Sequence, residues 1–182
     1  MKHPRTLIRE AVKDRLVARL PEVDARVTES RISIHRSTPL FVAKLPAILI
    51  YTRDERVENS PNADPGLRYR KLELSIEVIA GGEKAVEEAD MLAQAIEAIL
   101  DADETLGLLV EGTRLTRTEI DHDGDGETPV LAARMTFEVS YWTRPVEAAE
   151  GVLPLQVLVG FTPEIGNSHE GRYQPIGTIC KV

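Results

Sequence analysis

The chain has 182 residues, 42% of them hydrophobic and 29% charged, and its 22 basic and 30 acidic side chains give a formal net charge of -8. This composition excludes a disordered chain, and the acidic surplus disfavours binding to the phosphate backbone of nucleic acids. No apolar run approaches the roughly 20 residues of a membrane span, and the first residues lack the apolar core of a signal peptide, so we expect a cytoplasmic protein with no membrane partner.

An amphipathic helix is predicted near the start of the chain. Between Thr6 and Leu20, apolar residues recur at every fourth position, which is the spacing of one helix face. Charged residues occupy the opposite face, so the helix has one side for a core and one for solvent. Pro21 follows directly and predicts the end of the helix, because proline lacks the backbone N–H that the next helical turn needs.

Three strands are predicted next. A short one lies within residues 26–34, and a nearly continuous apolar run from Ala47 to Tyr51 favours a strand buried on both faces at the centre of a sheet. A polar loop with two prolines then spans residues 58–66. The following segment, KLELSIEVIA, alternates strictly, so one face should meet a core and the other water or a polar partner. The polar positions of that segment are Lys71, Glu73, Ser75 and Glu77.

A second helix is predicted from about Glu83 to Asp101, because Gly81 and Gly82 break the preceding strand and an apolar stripe follows. The predicted stripe consists of Val86, Ala89, Ala93, Ile96 and Leu100. Two more strands follow, the threonine-rich GTRLTRTEID and the alternating ARMTFEVSYW. In the latter, the outward positions are Arg134, Thr136, Glu138 and Ser140.

This order of elements predicts an α+β fold, with a mostly antiparallel sheet covered on one face by two helices, over residues 1–144. From Pro145 the chain becomes richer in proline and glycine, and residues 145–182 are predicted to be a C-terminal extended arm that packs on a neighbouring subunit. Alternating apolar residues in the arm would let it add one strand to a sheet edge. They include Leu155, Val157, Val159 and Phe161.

The segment DHDGDGETP, residues 121–129, is the strongest candidate for a metal site. Asp121, Asp123, Asp125 and a following glycine match the first ligand positions of a calcium-binding loop. The position of the essential bidentate glutamate is Ala132, however, and the flanking segments are predicted strands instead of helices. We therefore expect a hairpin loop in which Asp and Gly provide turn geometry, with metal binding as the alternative.

Catalytic and cofactor motifs are not recognisable. The four histidines lie far apart in predicted loops or termini, and none stands in a known catalytic motif or a phosphate-binding glycine loop. We therefore expect neither an enzyme nor a cofactor-dependent protein. The compact basic stretch RYRK, residues 68–71, alternates with Tyr69 and is better explained as the start of a strand than as a nucleic-acid contact.

Several segments together resemble the tail terminator proteins of long-tailed phages, also called minor tail or head–tail joining proteins. The resemblance covers about residues 5–144 and is carried by LPAILIYTRDE, by a strand followed by the helix EADMLAQAIEAIL, and by the closing FEVSYWT. It implies a non-enzymatic virion protein, assembled in the host cytoplasm, that forms a ring, typically a hexamer, on the head-proximal end of the tail tube. Its partners would be further copies of itself, the tail tube protein and the head–tail connector protein. DNA would pass through the ring lumen without sequence-specific contacts.

Candidate contact residues follow from this reading. Besides the arm residues, they lie at the start of the alternating strand and on the polar faces of the two alternating strands: Arg68, Arg70, Glu73, Glu77, Arg134 and Glu138. Two alternatives remain open, a neck connector or tube subunit of the same kind of particle, and a small metal-binding protein or enzyme that uses the Asp121 to Asp125 loop.

Overall fold

The computed structural model describes residues 2–34, 44–58, 67–123 and 130–144, together with the short stretches 158–159, 168–169 and 173–175. Besides a 3-10 turn at Glu29–Arg31, its elements in chain order are α1 (Pro4–Val23), β1 (Ile32–Ser33), β2 (Ala47–Glu58), β3 (Arg68–Gly81), α2 (Ala85–Asp101), β4 (Gly112–Asp123), β5 (Val130–Thr143), β6 (Leu158–Val159) and β7 (Gln174–Pro175).

The main sheet has the strand order β1-β2-β3-β5-β4. Strand β1 runs parallel to β2, and the other neighbouring pairs are antiparallel, which confirms the predicted α+β class with a mostly antiparallel sheet. The prediction that β2 occupies the centre was wrong, because β3 does. Residues 47–50 of β2 are nevertheless buried on both faces, as the apolar run indicated. Burial on both faces is therefore possible without a central position in the sheet.

Both helices pack on one face of this sheet. The buried side chains of α1 and α2 form a single cluster with alternate residues of β3 and β5, and Phe137 is the largest side chain that is fully buried there. The apolar halves of the two alternating strands thus face the helices, as the period of two predicts. Their polar halves lie on the opposite face of the sheet.

Helix α1 is longer than predicted. It begins at Pro4, after His3 whose ring Nδ1 accepts a hydrogen bond from the backbone N–H of Arg5, and it continues through Pro21 to Val23. A proline in the last turn removes one helical hydrogen bond, its own, but a later one is intact, since the N–H of Asp24 still donates to the carbonyl of Leu20 at 2.9 Å. The proline therefore marks the last turn of the helix and not its final residue.

The buried stripe of α2 also differs from the prediction. Val86 is 47% exposed, and Ala93 is only partly buried against the core. The fully packed positions are Ala85, Ala89, Leu92, Ile96 and Leu100. Gly82, at a φ of 103°, provides the predicted left-handed turn between β3 and α2, whereas Gly81 does not break the strand and is its last residue, paired with Val130. The buried face of α2 differs from the prediction by one residue at two places, with Ala85 instead of Val86 and Leu92 instead of Ala93.

The contacts of the chain divide into two units, residues 1–145 and residues 146–182. Within the second unit, Leu158–Val159 pairs antiparallel with Gln174–Pro175. Val159 thus lies in a short strand whose partner belongs to the same unit. The other candidate arm residues, Leu155, Val157 and Phe161, lie outside the described residues, so docking of the arm on a neighbouring subunit stays a prediction.

We predict that a chain ending at residue 144 stays folded, because both helices and all five strands of the main sheet lie between Pro4 and Thr143. The measurement is thermal unfolding by circular dichroism, in which the shortened chain should keep a cooperative transition and its helical signal. It should also self-associate more weakly than the full chain in light scattering. A truncated chain that is unfolded would instead place the arm in the core of the first unit.

Candidate interaction surface

The sheet face turned away from the helices carries the polar residues of the two alternating strands, and we call it the polar face. Cross-strand partners on it are Lys71 with Ser140, Glu73 with Glu138, Ser75 with Thr136 and Glu77 with Arg134. The apolar residues between them belong to the core cluster, which confirms that each strand presents its polar side chains to one face. Four of the predicted contact residues therefore lie together on this surface.

One part of the polar face is a closed hydrogen-bonded group. The guanidinium of Arg134 donates to Glu77 Oε1 at 3.1 Å and to Tyr51 Oη at 3.2 Å, and the Tyr51 hydroxyl donates to Glu77 Oε2 at 3.4 Å. The side chain of Glu77 is only 5% exposed. Burial by itself lowers the pKa of Arg134, but the Tyr51 bond and the charge of Glu77 raise it overall. Glu77 and Arg134 are thus engaged with each other and stabilise the subunit.

The neighbouring part of the polar face brings two like charges together. Glu73 and Glu138 are directly opposite each other on β3 and β5, and among the described residues neither carboxylate has an ion-pair partner within 4.0 Å. Arg114 stands opposite Glu138 on the other side, in β4. Like charges at directly opposed positions of a sheet are destabilising. A cationic partner that binds here would therefore relieve a repulsion that the isolated subunit leaves in place.

These two carboxylates line a groove of about 300 Å³ on the polar face. The other charged residues of the groove pair among themselves, Lys71 with Glu58 at 3.1 Å and Arg56 with Asp54 at 3.3 Å. The hydrogen bond to Glu58 raises the pKa of Lys71, with a smaller contribution from the Glu138 charge. Glu73 and Glu138 therefore leave the groove with a net negative charge, which favours a basic partner.

Arg68 and Arg70 do not join this surface. Arg70 lies on the helix-covered face, where it donates to Glu55 Oε2 at 2.6 Å and to Thr143 Oγ1 at 2.7 Å. The hydroxyl of Tyr141 also donates to Glu55, and burial raises the pKa of this phenol. Arg70 is therefore held inside the subunit, and Arg68, exposed at the first position of β3, has no ion-pair partner within 4.0 Å among the residues that the structure describes.

An aromatic pair was missed by the sequence reading. Trp142 is 41% exposed and stacks against its cross-strand partner Tyr69 on the polar face, with 4.8 Å between ring centroids. Its indole N–H donates to Glu111 at 3.2 Å, which holds the ring in place. Exposed aromatic side chains of this kind are enriched at the energetic centres of protein interfaces. The signal was present in the sequence, because Trp142 continues the outward series of β5.

The candidate metal loop is a hairpin connection, as the pairing of Asp123 with Val130 shows. Asp121 lies in β4 opposite Ala132 and is exposed, and Asp125 falls outside the described residues. In the described part of the chain, no three His, Cys, Asp or Glu side chains are grouped as metal ligands would be. The strands on both sides replace the helical frame of a calcium-binding loop.

We predict that calcium binds no more tightly than on the order of millimolar, because the bidentate position is Ala132 and adjacent strand residues point to opposite faces. Isothermal titration calorimetry of the full chain tests this, with the variant Asp123→Asn/Asp125→Asn as control. The variant should keep the unfolding temperature and assembly of the parent chain. Micromolar binding that is lost in the variant would restore the metal site.

Within the described residues, neither helix is long and apolar enough to cross a bilayer. No protein-family model matches the chain, and no curated protein matches it. Among solved structures, the chain is similar to a chain of the "Virion of native gene transfer agent (GTA) particle", at 14% sequence identity and a TM-score of 0.48, over 72% of this chain and 93% of that one. A similarity this low carries no functional argument, so function has to be argued from the surface and from the resemblance in sequence.

Proposed function

We propose that this protein is a structural, non-enzymatic component of a phage virion, a tail terminator. In this role copies of the chain form a closed ring, a hexamer in the family that the sequence resembles, on the end of the tail tube. The ring ends polymerisation of the tube and offers a surface for joining the head. DNA passes through the lumen without sequence-specific contacts, in keeping with the net charge of -8.

The resemblance in sequence spans about residues 5–144, and the structure has the same succession of elements within that range, a helix, three strands, a helix and two strands. Agreement of element order does not by itself define a function, because one fold supports many. A ring-forming subunit should in addition carry a surface whose charges are better satisfied in the assembly than in the isolated subunit.

The polar face provides that surface, and the opposed carboxylates Glu73 and Glu138 are the observation that carries the proposal. In the isolated subunit they oppose each other, and among the described residues neither has an ion-pair partner within 4.0 Å, because the Lys71 ammonium that acts on Glu138 is already paired with Glu58. A cyclic ring uses contacts between two different patches of neighbouring subunits, so an acidic groove requires a basic patch on the neighbour or on the tube. Trp142 at the border of the same face supplies an apolar anchor for such a contact.

The test separates assembly from stability. The variant Glu73→Gln/Glu138→Gln removes the repulsion, so it should unfold at the same or a higher temperature than the parent chain. It should nevertheless self-associate more weakly in light scattering over a concentration series and should lose its capping of tail tubes. Association of the parent chain should also weaken as salt is raised, since the attraction between charges is screened.

A matched control removes the same two charges elsewhere. Glu83 and Glu87 are exposed at the start of α2, away from the polar face. The variant Glu83→Gln/Glu87→Gln should therefore associate and cap tubes like the parent chain. If both double variants assemble equally well, the polar face is not the contact surface and the proposal loses its main support.

A further inference from the structure

The connection between α2 and β4 holds an almost fully exposed leucine, Leu108, in an unusual backbone conformation. Leu106, Gly107 and Leu108 have φ angles of 49°, 70° and 67°, so three successive residues are left-handed. Leucine rarely adopts this conformation, and non-glycine residues held in it are concentrated at functional positions. Leu106 is buried, while Leu108 is 89% exposed. We call Leu108 with its flanking turn the leucine knob.

The knob is held rigidly. Arg15 Nη2 donates to Asp103 Oδ2 at 2.6 Å, and Thr105 Oγ1 donates to Asp103 Oδ1 at 2.9 Å. The hydroxyl oxygen of Thr105 in turn accepts from the backbone N–H of Leu108 at 3.2 Å. The bond from Arg15 is the main reason that the pKa of Asp103 is lowered to about 2. An exposed leucine in a strained but fixed turn is pre-organised for insertion into an apolar site.

A groove of suitable size and lining lies between α1 and α2. It has a volume of about 390 Å³, and its apolar wall consists of Ala18, Ala98, Ile99 and Ala102. Arg19 stands at its edge, is exposed, and has no carboxylate within ion-pair distance among the described residues. The small side chains leave room for the branched end of a leucine. We call this site the helix groove.

The charges next to the knob and the groove are complementary. Glu104 lies four residues before Leu108 and is exposed. Like Arg19 at the groove, it has no ion-pair partner among the described residues. Knob and groove are also adjacent, since a Cβ built on Gly107 would lie 3.2 Å from Nη2 of Arg15, which lines the groove. Two copies related by a two-fold axis through this region can therefore exchange knobs, and each contact then occurs twice.

We propose that the helix groove receives the leucine knob of a second copy of this chain, in a two-fold contact with Arg19 of each copy facing Glu104 of the other. This two-fold dimer is independent of the proposed ring, because its contact lies on the helix side of the subunit and not on the polar face. It gives the protein a dimeric form in solution, before or besides assembly on a tube.

The first test is sedimentation equilibrium of the full chain with Leu108→Asn. Asparagine tolerates the left-handed conformation, so the variant should fold at least as well as the parent chain. Its dimer should dissociate at a concentration about ten-fold higher or more, as expected for an anchor residue in an interface. The control Val86→Asn changes another exposed apolar residue, on α2, and should leave the dimer intact. A parent chain that remains monomeric, or a Leu108→Asn dimer of unchanged strength, overturns the proposal.

The second test exchanges the charges. Arg19→Glu and Glu104→Arg should each weaken the dimer, because each places like charges in both contacts. The double variant Arg19→Glu/Glu104→Arg should restore it, and so should an equimolar mixture of the two single variants, because each contact in the mixed pair then joins opposite charges. A double variant as weak as the single ones contradicts the pairing. Tube capping by these variants should be unchanged, which separates this contact from the proposed ring.

Discussion

Replacing Phe137 with alanine should lower the free energy of unfolding by about 3–5 kcal/mol, the usual cost of emptying a large aromatic site in a core. Phe137 is fully buried and lies on β5 between Leu74 of β3 and Leu115 of β4. Three strands and the helices above them therefore lose contacts at once. Urea denaturation followed by circular dichroism measures the change as a lower midpoint.

The control for this prediction is Ile120→Ala in β4. Ile120 is 55% exposed, so its truncation should cost less than about 1 kcal/mol, in line with surface substitutions generally. Equal losses for the two variants would show that Phe137 does not fill the centre of the core. A changed dependence of stability on urea would instead indicate an altered denatured or native state.

The second large effect is expected for Arg134→Met, which should cost about 3 kcal/mol, in the range for breaking a buried ion pair. Among the described residues, the variant leaves the Glu77 carboxylate, 5% exposed, with the single long hydrogen bond from Tyr51. Adding Glu77→Gln should recover a large part of the loss, because the remaining group is then neutral. The four free energies of unfolding form a double-mutant cycle that isolates the pair.

Arg117→Met is the matched control. Arg117 pairs with Glu119 at 2.7 Å on the same sheet, but both side chains are largely exposed, at 67% and 38%. Surface ion pairs contribute about 0–1 kcal/mol, so this variant should be close to the parent chain. If Arg134→Met lowers the free energy of unfolding no more than Arg117→Met does, then the Glu77 carboxylate becomes solvated when its partner is removed.

The sequence predicted the fold class and the two faces of the sheet because both follow from local periodicity. A period of two in β3 and β5 is enough to separate apolar from polar side chains before any strand partner is known. The position of a strand within the sheet is not local, which is why β2 was wrongly placed at the centre. The last residue of α1 and the choice of the buried face of α2 depend on tertiary packing. Small side chains such as alanine and valine on α2 do not determine from the sequence alone which of two neighbouring positions is buried.

The candidate surface could be predicted in its composition but not in its geometry. Alternation placed Glu73, Glu77, Arg134 and Glu138 among the polar positions, but only the register between β3 and β5 shows which of them meet. That register pairs Glu77 with Arg134 and opposes Glu73 to Glu138. A one-residue difference in register would remove both relations, because it would move one set of side chains to the other face.

The leucine knob was beyond sequence reasoning for a different reason. The segment TLGLLVEG contains three leucines, and no periodicity distinguishes the buried Leu106 from the exposed Leu108. Their difference arises from the left-handed turn, from the local bond between Thr105 and the N–H of Leu108, and from the bond between Arg15 and Asp103, which joins the turn to α1. The glycine within this apolar loop indicates a turn, but it does not indicate which of the leucines is buried.

Electron microscopy of tail tubes can show whether this chain caps a tube as a ring, as we propose. Purified protein is added to polymerising tubes, and negatively stained tube ends are compared with and without it, with Glu73→Gln/Glu138→Gln as the variant expected to fail. We expect ring-shaped density at the tube ends and arrested elongation with the parent chain, and neither effect with the variant. Tubes that keep growing with undecorated ends in the presence of the folded parent chain would contradict it.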